Sequence, residues 1–393
     1  MQKILVVDDA KANIKILADL LSDQAQVLFA TNGPVALQKA AQEDLDLILL
    51  DVMMPEMDGY EVCEKLKADT RTAQIPVVFV TGLSEEQDEE KGLRLGAIDY
   101  VTKPFSPAIV KARVRNHLQA RQHQRDLEAA HAQLRASHEK EMRIAHDIQM
   151  AMLPKRERGG DTFDGFDIAA ILEPARSVGG DLYNYFSVGD DRLLFAVGDV
   201  SDKGVPAALF MVKTNTLLRS VAGEIVELST IMARVNQELS RENEACMFVT
   251  LIVGILDLNT GDFALANGGH NAPVLMKADG SCAYIETETG PALGFDESGE
   301  FPVMQSRLNP GEMLLLYTDG VTEAFNDCDE MYSDERLVEV LAGQAQSGAA
   351  DTTQMLLRSV QDFAGNHGQS DDITIVALRN SGDVTAAMPD RSN

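Results

Sequence analysis

The chain has 393 residues, of which 45% are hydrophobic, so it is long and apolar enough for two or three packed domains and does not fit a disordered protein. A formal net charge of −28 repels phosphate backbones and argues against direct binding to nucleic acid. The four cysteines lack Cys-x-x-Cys spacing, so we expect neither a zinc site nor disulfides. The sequence shows neither a leader nor an apolar run of the roughly 18–20 residues that a membrane span needs, so we expect a cytoplasmic protein without a membrane anchor.

Strand-like apolar runs alternate with amphipathic, helix-length segments in the first 120 residues. The runs cover 3–9, 27–30, 45–51 and 75–82, and a fifth begins at residue 98. This alternation predicts parallel βαβ units in a doubly wound, five-stranded sheet, whose ligand site lies beyond the carboxyl ends of the strands. The residues at those ends should therefore converge, and they are Asp8, Asp9, Asp51, Thr81 and Lys103.

These residue types suit a phospho-aspartate site. Three carboxylates can hold one Mg²⁺, and the ammonium group of Lys103 can neutralise an incoming phosphoryl group. Asp51 stands alone at the end of the central strand and would be the nucleophile. Taken singly, such residues are weak signals, because an aspartate at a strand end often caps the next helix.

The segment DVMMPEMDG (51–59), with VVDD before it and TG and KP after it, resembles a two-component receiver domain across residues 1–120. The resemblance implies that Asp51 accepts a phosphoryl group from a histidine kinase or phosphotransfer protein. It also implies a set of supporting roles: Mg²⁺ binding by Asp8, Asp9, Asp51 and the Met53 carbonyl, phosphoryl contact by Thr81 and Lys103, and a ring at Tyr100 that reorients with Thr81. Pro104 after Lys103 is compatible with a cis peptide bond.

Residues 106–152 are polar and contain no Gly and no Pro after Pro107, which predicts one or two continuous helices. We assign 121–152 as a linker. Leu127, Leu134 and Ile148 follow heptad spacing, with Ala130, Ile144 and Ala151 at companion positions and interruptions at Ser137 and Glu141. The seam is either a regulated coiled-coil dimer, which we prefer, or a helix packed on its own domain.

Between residues 153 and 380 the pattern changes to short strands with hairpin turns at 259–262 and 278–280. Strands are predicted at 166–172, 192–200, 247–258, 262–267, 273–278 and 313–320, and helices at 205–222, 226–241, 335–345 and 352–364. We expect an α/β sandwich of two largely antiparallel sheets flanked by helices. Residues 381–393 lack apolar periodicity and should be a flexible tail.

Four aspartates lie in Gly-rich or turn-flanked settings of this region, without a neighbouring His or Cys: Asp181, Asp199, Asp319 and Asp371. Any one of them alone is most often a turn residue or a helix cap. Together they suit Mg²⁺ or Mn²⁺, and two such ions can activate water and clamp the oxygens of a phosphate ester. Asp372 is an alternative to Asp371, which we prefer, because neighbours in an extended chain point to opposite sides.

The order GGD, GDVSxxG, YTDG and DDxT resembles the bacterial metal-dependent serine/threonine protein phosphatases of the sporulation and stress-response type, as do IAHDIQMAMLP (144–154) and GGHNAPVL (268–275). The resemblance covers residues 141–380. It implies that Asp199 bridges two Mn²⁺ or Mg²⁺ ions, with the Val200 carbonyl as a neighbouring ligand, and that Asp181, Asp319 and Asp371 complete the cluster.

Three further positions around this motif set bear on substrate binding. Arg176 is a candidate for bidentate contact with the substrate phosphate. His270 is a candidate for substrate contact or proton transfer, although a His between Gly and Asn is more often a turn residue. Where many relatives have Gly-His or Gly-Lys after DVS, this chain has Asp202-Lys203.

The sequence therefore predicts a response regulator whose output is a metal-dependent protein serine/threonine phosphatase. By family analogy its substrate would be a phosphorylated anti-sigma-factor antagonist, and its target a stress or stationary-phase sigma factor. The alternative is a non-catalytic adaptor that binds a sigma factor and delivers it for proteolysis. The presence of all four aspartates favours catalysis.

Overall fold

The computed structural model describes residues 1–82, 86–154, 160–225, 227–342, 344 and 347–382. The chain forms two compact units, unit 1 (Met1–Ser137) and unit 2 (His138–Asn393). None of the helices in the described ranges combines the length and the apolar character needed to cross a membrane.

Unit 1 contains a parallel β-sheet with helices on both faces. Its strands are β1 (Lys3–Val7), β2 (Gln26–Ala30), β3 (Leu47–Asp51), β4 (Val77–Thr81) and β5 (Asp99–Thr102), and its helices are α1 (Lys11–Leu21), α2 (Gly33–Gln42), α3 (Gly59–Ala68) and α4 (Glu86–Arg94). The strand order is β2-β1-β3-β4-β5. Every residue of β3 and β4 is buried, as expected for strands covered on both faces. The predicted doubly wound sheet is confirmed.

A single helix, α5 (Pro107–Met152), begins in unit 1 and ends in unit 2. Its first turns are anchored in unit 1, where Val110, Val114 and Leu118 are buried against alternate residues of β1 and β3. Further along, the helix presents apolar side chains that are more than half exposed: Leu127, Leu134, Ile144 and Ile148. The seam predicted from heptad spacing is thus a stripe facing away from the core.

Unit 2 contains two mainly antiparallel sheets. Its strands are β6 (Asp161–Phe163), β7 (Phe166–Glu173), β8 (Leu182–Ser187), β9 (Arg192–Val200), β10 (Val249–Asp257), β11 (Asp262–Gly268), β12 (Val274–Met276), β13 (Cys282–Tyr284), β14 (Thr289–Gly290), β15 (Val303–Arg307), β16 (Met313–Tyr317) and β17 (Ile373–Asn380). One sheet has the order β14-β11-β10-β9-β8 with β15 beside β11, and the other has the order β13-β12-β16-β17-β7-β6. The helices are α6 (Val205–Ala222), α7 (Leu228–Ser240), α8 (Asp334–Leu341) and α9 (Ala349–Ala364).

Strand β7 shows how these layers pack. Its residues Ile168 and Leu172 belong to the large core that includes β9, β10, α6 and α7, whereas Ala169 and Ile171 belong to a second core with α8 and α9. Because successive side chains of a strand point to opposite faces, β7 has one face toward each core. The predicted α/β sandwich with outer helices is confirmed.

Several details differ from the predicted elements. Six strands are absent from the prediction, namely β6, β8, β13, β14, β15 and β17; the segments around β8 and β17 are dominated by their aspartate motifs. Helix α8 ends at Leu341, earlier than the predicted 345, where the chain leaves helical geometry at Ala342. Residue 226, residues 343 and 345 of the predicted helix 335–345, and most of the tail predicted at 381–393 lie outside the described residues.

Candidate metal centres

The carboxyl ends of β1, β3 and β5 bring three carboxylates and an ammonium group together in unit 1. Ligand oxygens of Asp8, Asp9 and Asp51 lie within 4.8 Å of one another. The Nζ atom of Lys103 lies 2.8 Å from Oδ2 of Asp8 and 2.8 Å from Oδ2 of Asp51. An all-oxygen set of this kind fits a hard divalent cation such as Mg²⁺.

Burial and charge act in opposite directions on this site. Burial raises the pKa of Asp51, and the nearby carboxylate of Asp8 adds to the shift, while the bond from Lys103 opposes it. Burial alone would lower the pKa of Lys103, but its bonds to Asp51 and Asp8 raise it, so the ammonium stays charged. Lys103 is therefore a fixed counter-charge for two buried acids.

The other predicted receiver residues surround this cluster. Thr81 ends β4 and is buried, Tyr100 lies in the neighbouring strand β5, and the Arg113 guanidinium is 5.5 Å from the centre of the Tyr100 ring. The Met53 N–H is 3.4 Å from Oδ1 of Asp51, and its carbonyl role stays a prediction. The Lys103–Pro104 peptide bond is cis.

In unit 2 the aspartates stand where strands of the two sheets begin or end. Asp181 precedes β8, Asp199 is near the end of β9, Asp319 follows β16, and Asp371 and Asp372 precede β17. These positions are up to 191 residues apart in the sequence, yet their carboxylates act on one another's pKa values. The fold thus gathers the predicted set at one place in unit 2.

Asp181 is fixed by two threonines that the sequence analysis did not identify. Its Oδ2 accepts hydrogen bonds from Oγ1 of Thr318 at 2.8 Å and from Oγ1 of Thr374 at 2.6 Å. All three side chains are buried. Thr318 follows β16 and Thr374 lies in β17, both far from Asp181 in the sequence, so no local sequence pattern could have indicated them.

The neighbours Asp371 and Asp372 have different surroundings. Asp372 is buried and accepts backbone N–H bonds from Ala175 and Gly180, each at 2.8 Å. In addition to the larger effect of burial, the charge of Asp371 raises the pKa of Asp199 and of Asp319, and the charge of Asp372 raises the pKa of Asp199 and of Asp181. Asp372 therefore holds the loop before Asp181, and the choice of Asp371 over Asp372 as the metal ligand stays a prediction.

Two glycines of the motifs are explained by close packing. A Cβ atom on Gly179 would lie 2.0 Å from Oδ2 of Asp372, and one on Gly320 would lie 2.0 Å from the Asp372 carbonyl oxygen. Neither position has room for a side chain. Gly-Gly before Asp181 and Gly after Asp319 are therefore needed to let the segment carrying Asp371 approach.

The acids of unit 2 repel one another. Burial and the charge of Asp199 raise the pKa of Asp181 well above its usual range, and burial and the charges of Asp319 and Asp371 raise the pKa of Asp199 to about 7. Burial and Asp371 also raise the pKa of Asp319. Carboxylates held together at such a cost fit hard divalent cations, which would relieve the repulsion.

The spacing in unit 2 differs from that in unit 1. Among the described residues, the three acids of unit 1 form the one group of three or more candidate ligands whose atoms all lie within 4.8 Å. The acids of unit 2 do not form such a group, so their ligand atoms are spaced more widely than those of the receiver cluster.

His270 is a core residue in this structure. Its side chain is buried, its Nε2 donates to the Tyr317 carbonyl at 3.1 Å, and its Nδ1 lies 2.9 Å from Oγ1 of Thr250. Burial lowers its pKa to about 4, so the ring is neutral. Because both ring nitrogens are used internally, the structure favours the alternative of a structural turn residue, and the candidate role of His270 in substrate contact or proton transfer stays a prediction.

Two other candidates keep their predicted roles as predictions. Arg176 is exposed in the loop that leads to Asp181. The Val200 carbonyl oxygen points toward Gly180, where an added Cβ would lie 2.9 Å away.

The end of α5 contacts the loop before Asp181, which was also not predicted. Gln149 is buried, and its side chain donates to the Gly179 carbonyl at 2.6 Å and accepts from the Gly179 N–H at 3.2 Å. One turn earlier, His146 Nδ1 lies 2.9 Å from the Ser177 carbonyl oxygen. The last turns of the helix therefore hold the glycine loop directly.

Comparison with known families gives a match for each unit. Residues 4–115 match the response regulator receiver domain, and residues 189–381 match stage II sporulation protein E (SpoIIE). The receiver match lies within unit 1 and the SpoIIE match within unit 2.

Individual relatives resemble parts of the chain. Protein IcfG of Synechocystis sp. is 32% identical over 240 residues, covering 54% of this chain and 38% of that protein. Response regulator PleD of Caulobacter vibrioides is 50% identical over 115 residues, covering 29% of this chain and 25% of that protein. The chain thus spans well under half the length of these relatives. The solved SiaA-PP2C domain of Pseudomonas aeruginosa shares the fold, with a TM-score of 0.56 and 21% identity over 63% of this chain and 98% of that chain.

Proposed function

We propose that this chain, which joins a response regulator receiver domain to a SpoIIE domain with a phosphatase fold, is a phosphorylation-controlled, Mn²⁺- or Mg²⁺-dependent protein serine/threonine phosphatase. Residues 1–120 would act as the receiver, 121–152 as the linker and 153–380 as the phosphatase. The observation that carries the proposal is the gathering of Asp181, Asp199, Asp319 and Asp371 into one mutually repelling cluster of oxygen ligands.

The residues of unit 2 divide the proposed chemistry among them. Divalent ions, when bound there, supply an activated water and neutralise the oxygens of the phosphate ester. Asp199, which feels the charge of both Asp319 and Asp371, is suited to bridge two ions. Thr318 and Thr374 orient Asp181. Arg176, at an exposed position, would bind the phosphate oxygens of the substrate.

In the receiver, Asp51 is the proposed phosphoryl acceptor. An Oδ atom of Asp51 would attack the phosphorus of the phosphodonor, a histidine kinase or a phosphotransfer protein, and the bond from phosphorus to the donor nitrogen would break. Lys103, already in contact with Asp51, would neutralise the transferred oxygens, and Asp8 and Asp9 would hold Mg²⁺.

The linker helix offers a route from one function to the other. Its first turns pack in the receiver core, and its last turns hold the glycine loop through Gln149. The exposed stripe that contains Leu127 and Leu134 supports pairing with a second copy of the chain. We infer that phosphorylation of Asp51 shifts a two-state arrangement of this helix and thereby the position of Asp181.

The proposed substrate is a phosphorylated anti-sigma-factor antagonist, whose dephosphorylation would release a stress or stationary-phase sigma factor. This part of the proposal rests on family analogy. It is consistent with the strongly acidic chain, whose net charge of −28 disfavours nucleic acid as a partner.

The decisive experiment measures hydrolysis of a phosphoserine peptide and of p-nitrophenyl phosphate with Mn²⁺ and with chelator. Asp199→Ala should lower the metal-dependent rate by about a thousandfold or more, since the shared ligand would be lost. Exposed Asp190, changed to Ala, is the matched control and should keep the wild-type rate. Wild-type protein without metal-dependent turnover on either substrate, with or without phosphodonor, would refute the phosphatase and favour the adaptor.

A further inference from the structure

Lys203 lies in the short connection between β9 and α6, the segment in which the sequence departs from the pattern of its relatives. Its Nζ atom is 2.8 Å from Oδ2 of Asp371 and 2.8 Å from the Ser370 carbonyl oxygen. The backbone turns sharply on both sides of it, with φ of 74° at Asp202 and 80° at Gly204.

The ammonium group of Lys203 is in direct contact with a carboxylate that is predicted to bind metal. Its Nζ atom forms an ion pair with Oδ2 of Asp371 at 2.8 Å. Lys203 therefore places a positive charge where the proposed metal centre would hold a cation.

We propose that Lys203 is an internal competitor of the metal ion, pairing with Asp371 in the metal-free protein and having to leave it before a divalent ion can use that carboxylate. The inference rests on the metal centre of the proposed function. It makes Lys203 a positioning residue that sets the metal concentration at which the centre fills.

The exposure of the pair suits this exchange. The side chains of Lys203 and Asp371 are 42% and 35% exposed, so the ammonium can move into solvent when the ion pair breaks. An ion pair of this exposure is weak, so we expect it to lower metal affinity by about threefold and not to block binding.

The test measures Mn²⁺ binding to the full-length chain from the electron paramagnetic resonance signal of free Mn²⁺. All proteins carry Asp8→Asn and Asp9→Asn, which remove two carboxylates from the receiver cluster, so that binding reports on unit 2. Lys203→Met should bind Mn²⁺ about threefold more tightly, and Lys203→Glu more tightly still, because it adds a negative charge. Lys203→Arg should keep the wild-type affinity.

The matched control is Lys277→Met, which removes a lysine charge from the exposed hairpin between β12 and β13 and should leave the affinity unchanged. Equal or weaker Mn²⁺ affinity in both Lys203→Met and Lys203→Glu would overturn the competitor role while leaving the metal centre intact. Failure of the parent protein to bind Mn²⁺ at all would overturn the metal centre itself and the competitor role with it.

Discussion

In unit 1 the Lys103 ammonium contacts two buried acids, Asp8 and Asp51, each at 2.8 Å. In unit 2 the acidic cluster is paired with Lys203, which contacts Asp371 at the exposed edge of that cluster. Lys103 is 24% exposed and Lys203 is 42% exposed. In the receiver cluster, the charge of Lys103 thus largely offsets the negative charges of the buried acids. In the cluster of unit 2, the pKa values of Asp181 and Asp199 stay strongly raised. Similar residue types thus give one cluster whose buried acids share an internal counter-charge and another in which repulsion between the acids persists.

The largest effect that would test this contrast is expected for Lys103→Met. Removing the ammonium leaves Asp8 and Asp51 buried without their counter-charge, which should lower the free energy of unfolding by about 2 kcal/mol at pH 8. Urea unfolding in chelator measures it. Lys111→Met, which breaks the exposed pair with Asp23, is the control and should change the value by less than about 0.5 kcal/mol. Equal effects of the two substitutions would show that Lys103 stabilises the protein no more than an exposed lysine does, and so is not the counter-charge of two buried acids.

A second prediction concerns pH in the metal-free protein. The pKa of Asp199 is raised from 3.8 to about 7 on folding, so the folded state binds the extra proton and loses stability as pH rises from about 4 through 7. Asp199→Asn removes this loss. The variant should gain about 1–2 kcal/mol relative to wild type between pH 5 and pH 8, as measured by urea unfolding with chelator.

Asp190→Asn, at an exposed position before β9, provides the control and should follow the wild-type curve. An Asp199→Asn curve parallel to that of the wild type would show that the acids of unit 2 do not repel one another as described.

Gln149→Ala tests whether the linker helix holds the glycine loop. The substitution leaves the buried N–H and carbonyl of Gly179 without their partners, so Asp181 should lose its fixed position and metal-dependent hydrolysis should fall about tenfold. Gln122→Ala, on the exposed part of α5, is the matched control. An unchanged rate in Gln149→Ala would rule out this contact as the link to the metal centre.

The smallest expected effect is that of Asp51→Ala on regulation. The ratio of hydrolysis with and without a small phosphodonor, expected to differ from one in wild type by a few-fold, should become one in the variant because no acceptor remains. The measurement is the phosphatase rate before and after adding acetyl phosphate. A variant that still responds to the donor would place the switch elsewhere in the chain.

The two units also differ in how much the sequence could predict. In unit 1 the proposed acceptor Asp51, the acids beside it and Lys103 all stand at the carboxyl ends of parallel strands, so the alternation of elements alone places them together. In unit 2 the aspartates were found through their motifs, but the side chains that orient them were not. Thr318 and Thr374 reach Asp181 from 137 and 193 residues away, and such contacts leave no periodic signal in the sequence.

His270 shows a different limit of prediction from sequence, in which a motif suggests a role that the packing does not favour. Its motif invites a functional role, yet whether a His meets solvent or a buried carbonyl depends on how the β10–β11 sheet packs near β16. Lys203 was visible as a departure from the family pattern, but its partner Asp371 is 168 residues away. In both cases residue identity was informative and long-range packing decided the outcome.

The adjacent residues Asp371 and Asp372, just before β17, have two different roles that can be separated by mutation. Asp371 carries charge toward the other acids, while Asp372 ties down the backbone from Ala175 to Gly180. A descendant that lost Asp371 but kept Asp372 would preserve the shape of that loop and of the surface around it while giving up the proposed hydrolysis. The two adjacent aspartates would thus offer evolution a single step from the proposed enzyme to a binding protein of the same fold.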